Sequence, residues 1–100
     1  MTDQEYVIGF RAINAMDLDG DERDRLDHAA RTMPGIRVVG TAEADPATRT
    51  LRAAFAIPVE QAMAEAARDG GRLAKEILLS ARIPDARLVE MTVHMVDPAH

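Results

Sequence analysis

The amino-acid sequence predicts a protein of the α+β class, in which two helices pack against an antiparallel sheet. Four segments alternate apolar and polar residues with the period of two that is typical of strands. Two further segments space their apolar residues three or four positions apart, as in amphipathic helices. With 100 residues, 47% hydrophobic and 29% charged, the chain suits one modest core. We therefore expect a single domain over residues 1–100, ordered from about 5 to 97.

The first strand is predicted over residues 6–13. Its apolar side carries Tyr6, Ile8, Phe10 and Ala12. The first helix is predicted within residues 16–35, with Asp19 as its N-cap and Glu22 three positions later, as in a capping box. It ends at Met33, Pro34 and Gly35. Because its apolar stripe is thin, we expect packing to stabilise this helix more than intrinsic propensity does.

A β-hairpin is predicted over residues 36–44 and 50–58. The two alternating runs are joined by residues 45–48, which have the composition of a tight turn. In the second run, alternation places one set of side chains toward the core, namely Leu51, Ala53, Phe55 and Ile57. Pro58 ends the strand, since it cannot donate to the ladder.

The second helix has the clearest periodicity in the sequence. Its apolar stripe contains Val59, Met63, Ala66, Ala67, Gly70, Leu73, Ala74, Ile77, Leu78 and Ala81. The adjacent Gly70 and Gly71 disfavour a helix by about 1 kcal/mol each relative to alanine. Because the stripe keeps its phase across them, we predict a continuous or slightly kinked helix with Gly70 facing the sheet and with Met63 and Ile77 buried. A broken helix is the alternative.

The last strand is predicted over residues 87–96. One side carries Val89, Met91, Val93 and Met95, and the other carries Leu88, Glu90, Thr92 and His94. The element order is then βαββαβ. Right-handed crossovers favour a ferredoxin-like sandwich, with the sheet in the order 4-1-3-2 and both helices on one face. The strand residues predicted to form the core are Tyr6, Ile8, Phe10, Val38, Leu51, Phe55, Val89, Met91, Val93 and Met95.

The sheet surface turned away from the helices, which we call the open face, is predicted to be the working surface. It mixes small, charged and β-branched side chains, a composition that suits close packing against a second sheet. The predicted contact residues are Arg11, Arg37, Arg52, Ala54, Glu90, Thr92 and His94. The alternative is a solvated face with scattered apolar groups.

The predicted function is that of a small non-catalytic interaction or assembly protein, acting as a homodimer or as the partner of another protein. The alternative is a dimeric sandwich that binds or transforms a small metabolite at the open face. In that case His94 is the candidate base and Arg11 the candidate anion contact. The sequence contains no nucleophile elbow, phosphate-binding glycine loop or paired-carboxylate motif, so we predict no catalytic residues.

No metal or cofactor is predicted. Asp17, Asp19 and Asp21 alternate as in a calcium loop, but Glu22 and His28 stand where an EF-hand requires glycine and glutamate. Helix capping explains the acids more simply. A second pattern, formed by His94, Asp97 and His100, has metal-ligand residue types at intervals of three, but Pro98 prevents a helix that would align them.

Charge and composition exclude further classes. A formal net charge of −5 argues against nucleic-acid binding, which depends on basic side chains that replace counterions. No aromatic residue has the open-face phase that an RNA-recognition motif needs for base stacking. The chain has no cysteine, no basic N-terminal leader and no apolar run of membrane-spanning length, so we expect a cytoplasmic protein without membrane contact. Eleven of the 12 basic residues are arginine, which suggests a GC-rich bacterium or its phage as the source.

Overall fold

The computed structural model describes residues 4–96. Seven elements follow one another in the order β1 (Glu5–Asn14), α1 (Glu22–Thr32), β2 (Arg37–Val38), β3 (Glu43–Asp45), β4 (Thr50–Pro58), α2 (Met63–Ser80) and β5 (Ala86–Val96). All the strand pairs are antiparallel. The predicted α+β class is therefore confirmed, with a five-stranded antiparallel sheet and two helices.

The sheet runs in the order β2-β4-β1-β5, and β3 also pairs with β4. This differs from the predicted four-strand order 4-1-3-2, because the single strand predicted over residues 36–44 is interrupted. Gly40 has a φ of 69°, a left-handed conformation that glycine adopts without steric penalty and that ends an extended run. The two short pieces, β2 and β3, lie along the same neighbour, so one side of β4 is paired in two separate places.

β1 is the central strand and has the predicted alternation. Its core side is fully buried, with Tyr6, Ile8, Phe10 and Ala12 each 4% exposed or less. Across the ladder, Phe10 meets Phe55 of β4 edge to face, with ring centroids 6.5 Å apart. α2 packs on β1 and β5, α1 packs on β2, β3 and β4, and the helices contact each other. Both helices therefore cover the same face of the sheet.

α2 is continuous through its two glycines, as predicted. Gly70 is buried against β1, where an added Cβ would lie only 2.7 Å from Cδ1 of Ile8. Ile77 is fully buried, also as predicted. The predicted burial of Met63 is wrong, because its side chain is 45% exposed. Met63 is the first residue of the helix, and burial on α2 begins only one turn later, at Ala66.

α1 begins two residues later than the predicted capping box would place it, with Asp21 rather than Asp19 as its N-cap. Glu22 is buried and its carboxylate accepts the backbone N–H groups of Asp19 at 2.8 Å and Gly20 at 3.0 Å. Asp19 in turn accepts the N–H of Asp21, and this hydrogen bond lowers the pKa of Asp19 with help from Arg25. The acids therefore order the loop that enters the helix.

β5 contains a β-bulge that the alternation did not predict. Arg11 of β1 lies opposite Glu90, whereas the next residue, Ala12, lies opposite Leu88, so Val89 is the extra residue. The bulge reverses the phase of the strand: Leu88 packs against the core, although it was predicted on the open face. The predicted core position of Val89 is wrong, since its side chain is 38% exposed.

The two ends of β5 differ in burial. Met91 and Val93 are half-buried and pack against the core, as predicted. Met95 was also predicted in the core, but 44% of it is exposed. It pairs with Tyr6 near the end of the ladder, next to the exposed Val96. Because β5 is the outermost strand, only β1 flanks it within residues 4–96.

Candidate functional site

The pairing of the strands arranges the open face in transverse rows. In the middle row, Gly9 of β1 lies between Ala54 of β4 and Thr92 of β5. An added Cβ at Gly9 would lie 3.0 Å from Oγ1 of Thr92, so glycine gives the threonine hydroxyl room above β1. The floor of the open face is therefore made of small side chains over three adjacent strands.

The next row consists entirely of charged side chains. Glu43 of β3 pairs with Arg52 of β4, Arg52 with Arg11 of β1, and Arg11 with Glu90 of β5. The order of charges across the sheet is negative, positive, positive, negative. Nε of Arg11 lies 3.6 Å from Oε1 of Glu90, a partly exposed ion pair. Two arginines therefore stand side by side at the centre of the row, each with a glutamate on its outer side.

Together these rows enclose a depression of about 510 Å³. Its lining residues are Gly9, Phe10, Arg11, Val39, Gly40, Thr41, Glu43, Arg52, Ala53, Ala54, Glu90 and Thr92. One wall is the segment between β2 and β3, held to the sheet where the N–H of Val39 donates to the carbonyl of Ala54 at 3.0 Å. A neighbouring depression of about 470 Å³ shares Arg11, Glu43 and Arg52. The charged row therefore lies between two adjoining open depressions, which we together call the trough.

Two of the predicted contact residues lie outside the trough. Arg37 of β2 forms an ion pair with Glu5 of β1, at 2.6 Å between Nη2 and Oε1, which raises the pKa of the arginine. This pair spans β4 near Ala56, which lies between Arg37 and Val7 in the ladder and is only 1% exposed. His94 is exposed on β5, opposite Val7.

The remaining predicted contact residues line the trough, namely Arg11, Arg52, Ala54, Glu90 and Thr92. Sequence reasoning did not include Gly9 and Glu43, which also line the trough, among the contacts. It also missed Gly40, because one continuous strand was predicted over residues 36–44, and such a strand contains no loop that could form a wall of the trough. The only sequence signal for that wall was the glycine itself, in the middle of an alternating run.

Neither of the two described histidines, His28 and His94, lines the trough. Residues 4–96 contain no cluster of three or more histidine, cysteine, aspartate or glutamate side chains able to hold a metal ion. In the tail pattern, Asp97 and His100 lie outside the described residues. His28 is exposed on α1.

Neither helix of the described chain is long and apolar enough to cross a membrane. Comparison with protein-family models, curated protein sequences and solved structures finds no match. Function therefore has to be inferred from the geometry of the open face.

Proposed function

We propose that the protein is a small non-catalytic interaction protein that works as a homodimer, or as the partner of another protein, through the open face of its sheet. One observation carries this proposal. The helices cover only one face of the sheet, and the other face, which no helix of the described chain covers, has a row of small side chains beside a charged row. The fold that goes with it is ferredoxin-like: if β2 and β3 are counted as one interrupted strand, the topology is βαββαβ.

The small floor supports packing against a second sheet. Two sheets pack face to face at about 10 Å, and their inner side chains interdigitate. Gly9 and Ala54 on adjacent strands leave space for side chains of a facing sheet. Val7 and Val39, both half-buried, add apolar surface beside them. Apolar contact supplies most of the affinity, because exposed ion pairs contribute only about 0 to 1 kcal/mol each.

The charged row constrains how two copies can meet. Direct stacking of one row on its two-fold mate sets arginine against arginine, which is unfavourable. A shift or a rotation instead brings Glu43 of one copy to Arg52 of the other. Arg52 is exposed and forms no ion pair with any of the residues that the structure describes, so it is available for this contact. The charges therefore select orientation more than strength.

Sedimentation equilibrium of Ala54→Glu tests the proposal. The new carboxylate lies in the floor of the trough and has to be desolvated when the face is covered. We expect the mass of Ala54→Glu at high micromolar concentration to be half that of the wild type, because the variant loses one two-fold contact. Ala47→Glu is the matched control, because Ala47 is exposed in the turn between β3 and β4, and it should behave as wild type. A monomeric wild type contradicts self-association through this face.

A second candidate function is the binding of a small anionic metabolite. The specific observation in its favour is the pair of arginines, Arg11 and Arg52, beside a depression of about 510 Å³. Typical ligand pockets measure about 300 to 1,000 Å³ but are more enclosed. A second copy packed over the trough provides the missing enclosure.

A thermal-shift screen against organic acids tests this second candidate. A ligand at 100 times its dissociation constant stabilises the folded protein by about 2.7 kcal/mol. For a chain of this length that shift corresponds to roughly 10 °C or more. The shift should disappear in Arg52→Ala and persist in Arg49→Ala, a control in the exposed turn. Absence of any hit among the acids leaves the interaction function as the better explanation.

A further inference from the structure

β5 presents a long strand edge that the rest of the described chain leaves unpaired. The strand spans Ala86–Val96, and within residues 4–96 its only ladder is with β1. Apolar side chains are exposed along it, at 38% for Val89, 44% for Met95 and 37% for Val96. An edge of this length with few charges is an effective template for pairing with another strand. Its side-chain pattern identifies the partner.

The strand is complementary to itself in one antiparallel register. When Thr92 pairs with Thr92 of a second copy, Glu90 lies opposite His94 on both sides of the two-fold axis. All three residues are on the open face, since their β1 partners are Arg11, Gly9 and Val7. A carboxylate can accept a hydrogen bond from an imidazole N–H, so each Glu90 has a hydrogen-bond donor on the strand of the other copy.

The same register also matches the apolar residues of the strand. Met91 lies opposite Val93 on the core side, so two half-buried side chains meet and shield each other. The regular pairing ends beyond Glu90, at the bulged residue Val89, so Val89 and Met95, both exposed in the single chain, form no regular pair. The pairing therefore covers apolar surface on one side of the sheet and matches polar groups on the other.

Neighbouring registers lack this match. Pairing Met91 with itself sets Glu90 against threonine, and pairing Val93 with itself sets Glu90 against Val96. If the register is shifted so that Glu90 or His94 lies on the two-fold axis, that residue faces its own copy, and two identical ionisable groups meet. Shifts by an odd number of residues bring open-face side chains against core-face side chains. Among the antiparallel pairings of β5 with itself, the register centred on Thr92 is the one that pairs Glu90 with His94.

We propose that two copies of this chain join edge to edge through β5, in the register centred on Thr92, to form a continuous antiparallel sheet of ten strands. The two-fold axis runs perpendicular to the sheet, so both open faces point the same way and form one surface of double width. This contact is separate from the open-face contact of the proposed function. If both form, their perpendicular axes generate a tetramer of two facing sheets.

Disulfide trapping tests the register. The natural chain has no cysteine, so Thr92→Cys introduces a single thiol per copy. Directly opposite residues in antiparallel strands have Cα atoms about 4.5 to 5.5 Å apart, within the range of a disulfide. Val96→Cys is the matched control, because Val96 belongs to none of these pairs and in this register the two residues at position 96 are displaced by eight residues, about 26 Å. A mild added oxidant should therefore cross-link Thr92→Cys rapidly and Val96→Cys hardly at all.

The same cross-linking experiment distinguishes the β5 edge contact from the open-face contact. In the Ala54→Glu background, which removes the open-face contact, Thr92→Cys should still cross-link. Loss of the cross-link there would show that it arose through the open face, and this would overturn the edge contact. Equal cross-linking of Thr92→Cys and Val96→Cys, or none in either, would also overturn it. Whether the open-face contact of the proposed function forms is decided separately, by comparing the mass of the Ala54→Glu variant with that of the wild type.

A charge exchange provides a second test, in the Ala54→Glu background. His94→Glu sets two pairs of carboxylates together and should weaken edge association at least tenfold, which corresponds to about 1.4 kcal/mol. His28→Glu makes the same change on the exposed surface of α1, which does not contact β5, and should have no effect. Adding Glu90→His to His94→Glu restores the pair with its members exchanged and should recover most of the affinity. Failure of that recovery contradicts the register.

Discussion

Replacement of the two adjacent glycines of α2 tests how closely this helix approaches the sheet. Gly70 and Gly71 stand in the same helix, and alanine is favoured over glycine at an interior helical position by about 1 kcal/mol. They differ in what a new methyl group meets. At Gly71 the nearest atom is Sδ of Met91, at 4.0 Å. At Gly70 the methyl would lie 2.7 Å from Cδ1 and 3.1 Å from Cγ2 of Ile8.

The magnitude follows from the packing around Ile8. This side chain is fully buried, and its Cγ2 branches directly from Cβ, so the clash is not removed by turning the end of the chain. Overpacking of this kind costs about 1 to 3 kcal/mol, which offsets or exceeds the helical gain. We expect Gly71→Ala to stabilise the protein by up to about 1 kcal/mol. Gly70→Ala should be less stable than Gly71→Ala by about 1 to 3 kcal/mol.

Urea unfolding of both variants measures this difference directly, through midpoints at constant slope. Ile8→Val supplies a double-mutant test, because valine lacks Cδ1. Alone, Ile8→Val should lower the free energy of unfolding by about 0.5 to 1.5 kcal/mol. In the Gly70→Ala background, the same change should lower it by less or should raise it. Equal stabilisation by Gly70→Ala and Gly71→Ala would refute the close approach of α2 to β1.

The other stability predictions concern the core and one ion pair. Ile77→Ala should lower the free energy of unfolding by about 2 to 5 kcal/mol. Leu79→Ala, at a side chain that is 63% exposed, should change it by less than about 0.5 kcal/mol. Similar losses in the two variants would contradict the burial of Ile77. The pKa of Asp27 is lowered because Arg31 donates a hydrogen bond to its carboxylate, and the N–H of Ala42 is a second donor. The ionised carboxylate therefore contributes to the stability of the folded protein above about pH 4, and this contribution is lost as the pH falls through the lowered pKa. Asp27→Asn should therefore lower the free energy of unfolding by about 0.5 to 1.5 kcal/mol at pH 7. In acid, the denaturation midpoints of the variant and the wild type should converge. A difference between the two midpoints that stays constant with pH would exclude the charge of Asp27 as the cause.

Much of the fold could be predicted from the sequence because the pattern was local and regular. The alternation over β1 predicted which side is buried, and the unbroken stripe of α2 predicted both its continuity and the inward position of Gly70. In these segments each residue's environment depends on its spacing from its neighbours. Periodicity is then sufficient.

Two of the errors occurred where one residue changes the course of the backbone. The extra residue Val89 reverses the sides of β5 before it, so Leu88 turns inward. The left-handed Gly40 divides the predicted second strand and creates a wall of the trough. Neither change is visible in hydrophobic alternation, since a bulged and a regular strand can have the same composition.

The candidate site was predictable in outline only. Alternation placed Arg11, Arg52 and Glu90 on the open face, but their alignment in a single row depends on the register between three strands. Register is a tertiary property, set by how the cores of the strands meet. For the same reason the ion pair between Arg37 and Glu5, across an intervening strand, could not be predicted.

The solvent exposure of methyl groups on the open face shows whether a second copy covers this surface. Relaxation enhancement by a soluble paramagnetic agent can be measured at Val7 and Ala54 in dilute and in concentrated protein. Met16, 63% exposed in the loop after β1, serves as the internal reference. If a second copy covers the open face, the enhancement at Val7 and Ala54 falls with concentration while that at Met16 does not change. Unchanged enhancement at all three residues in a sample that sedimentation shows to be associated would contradict the account.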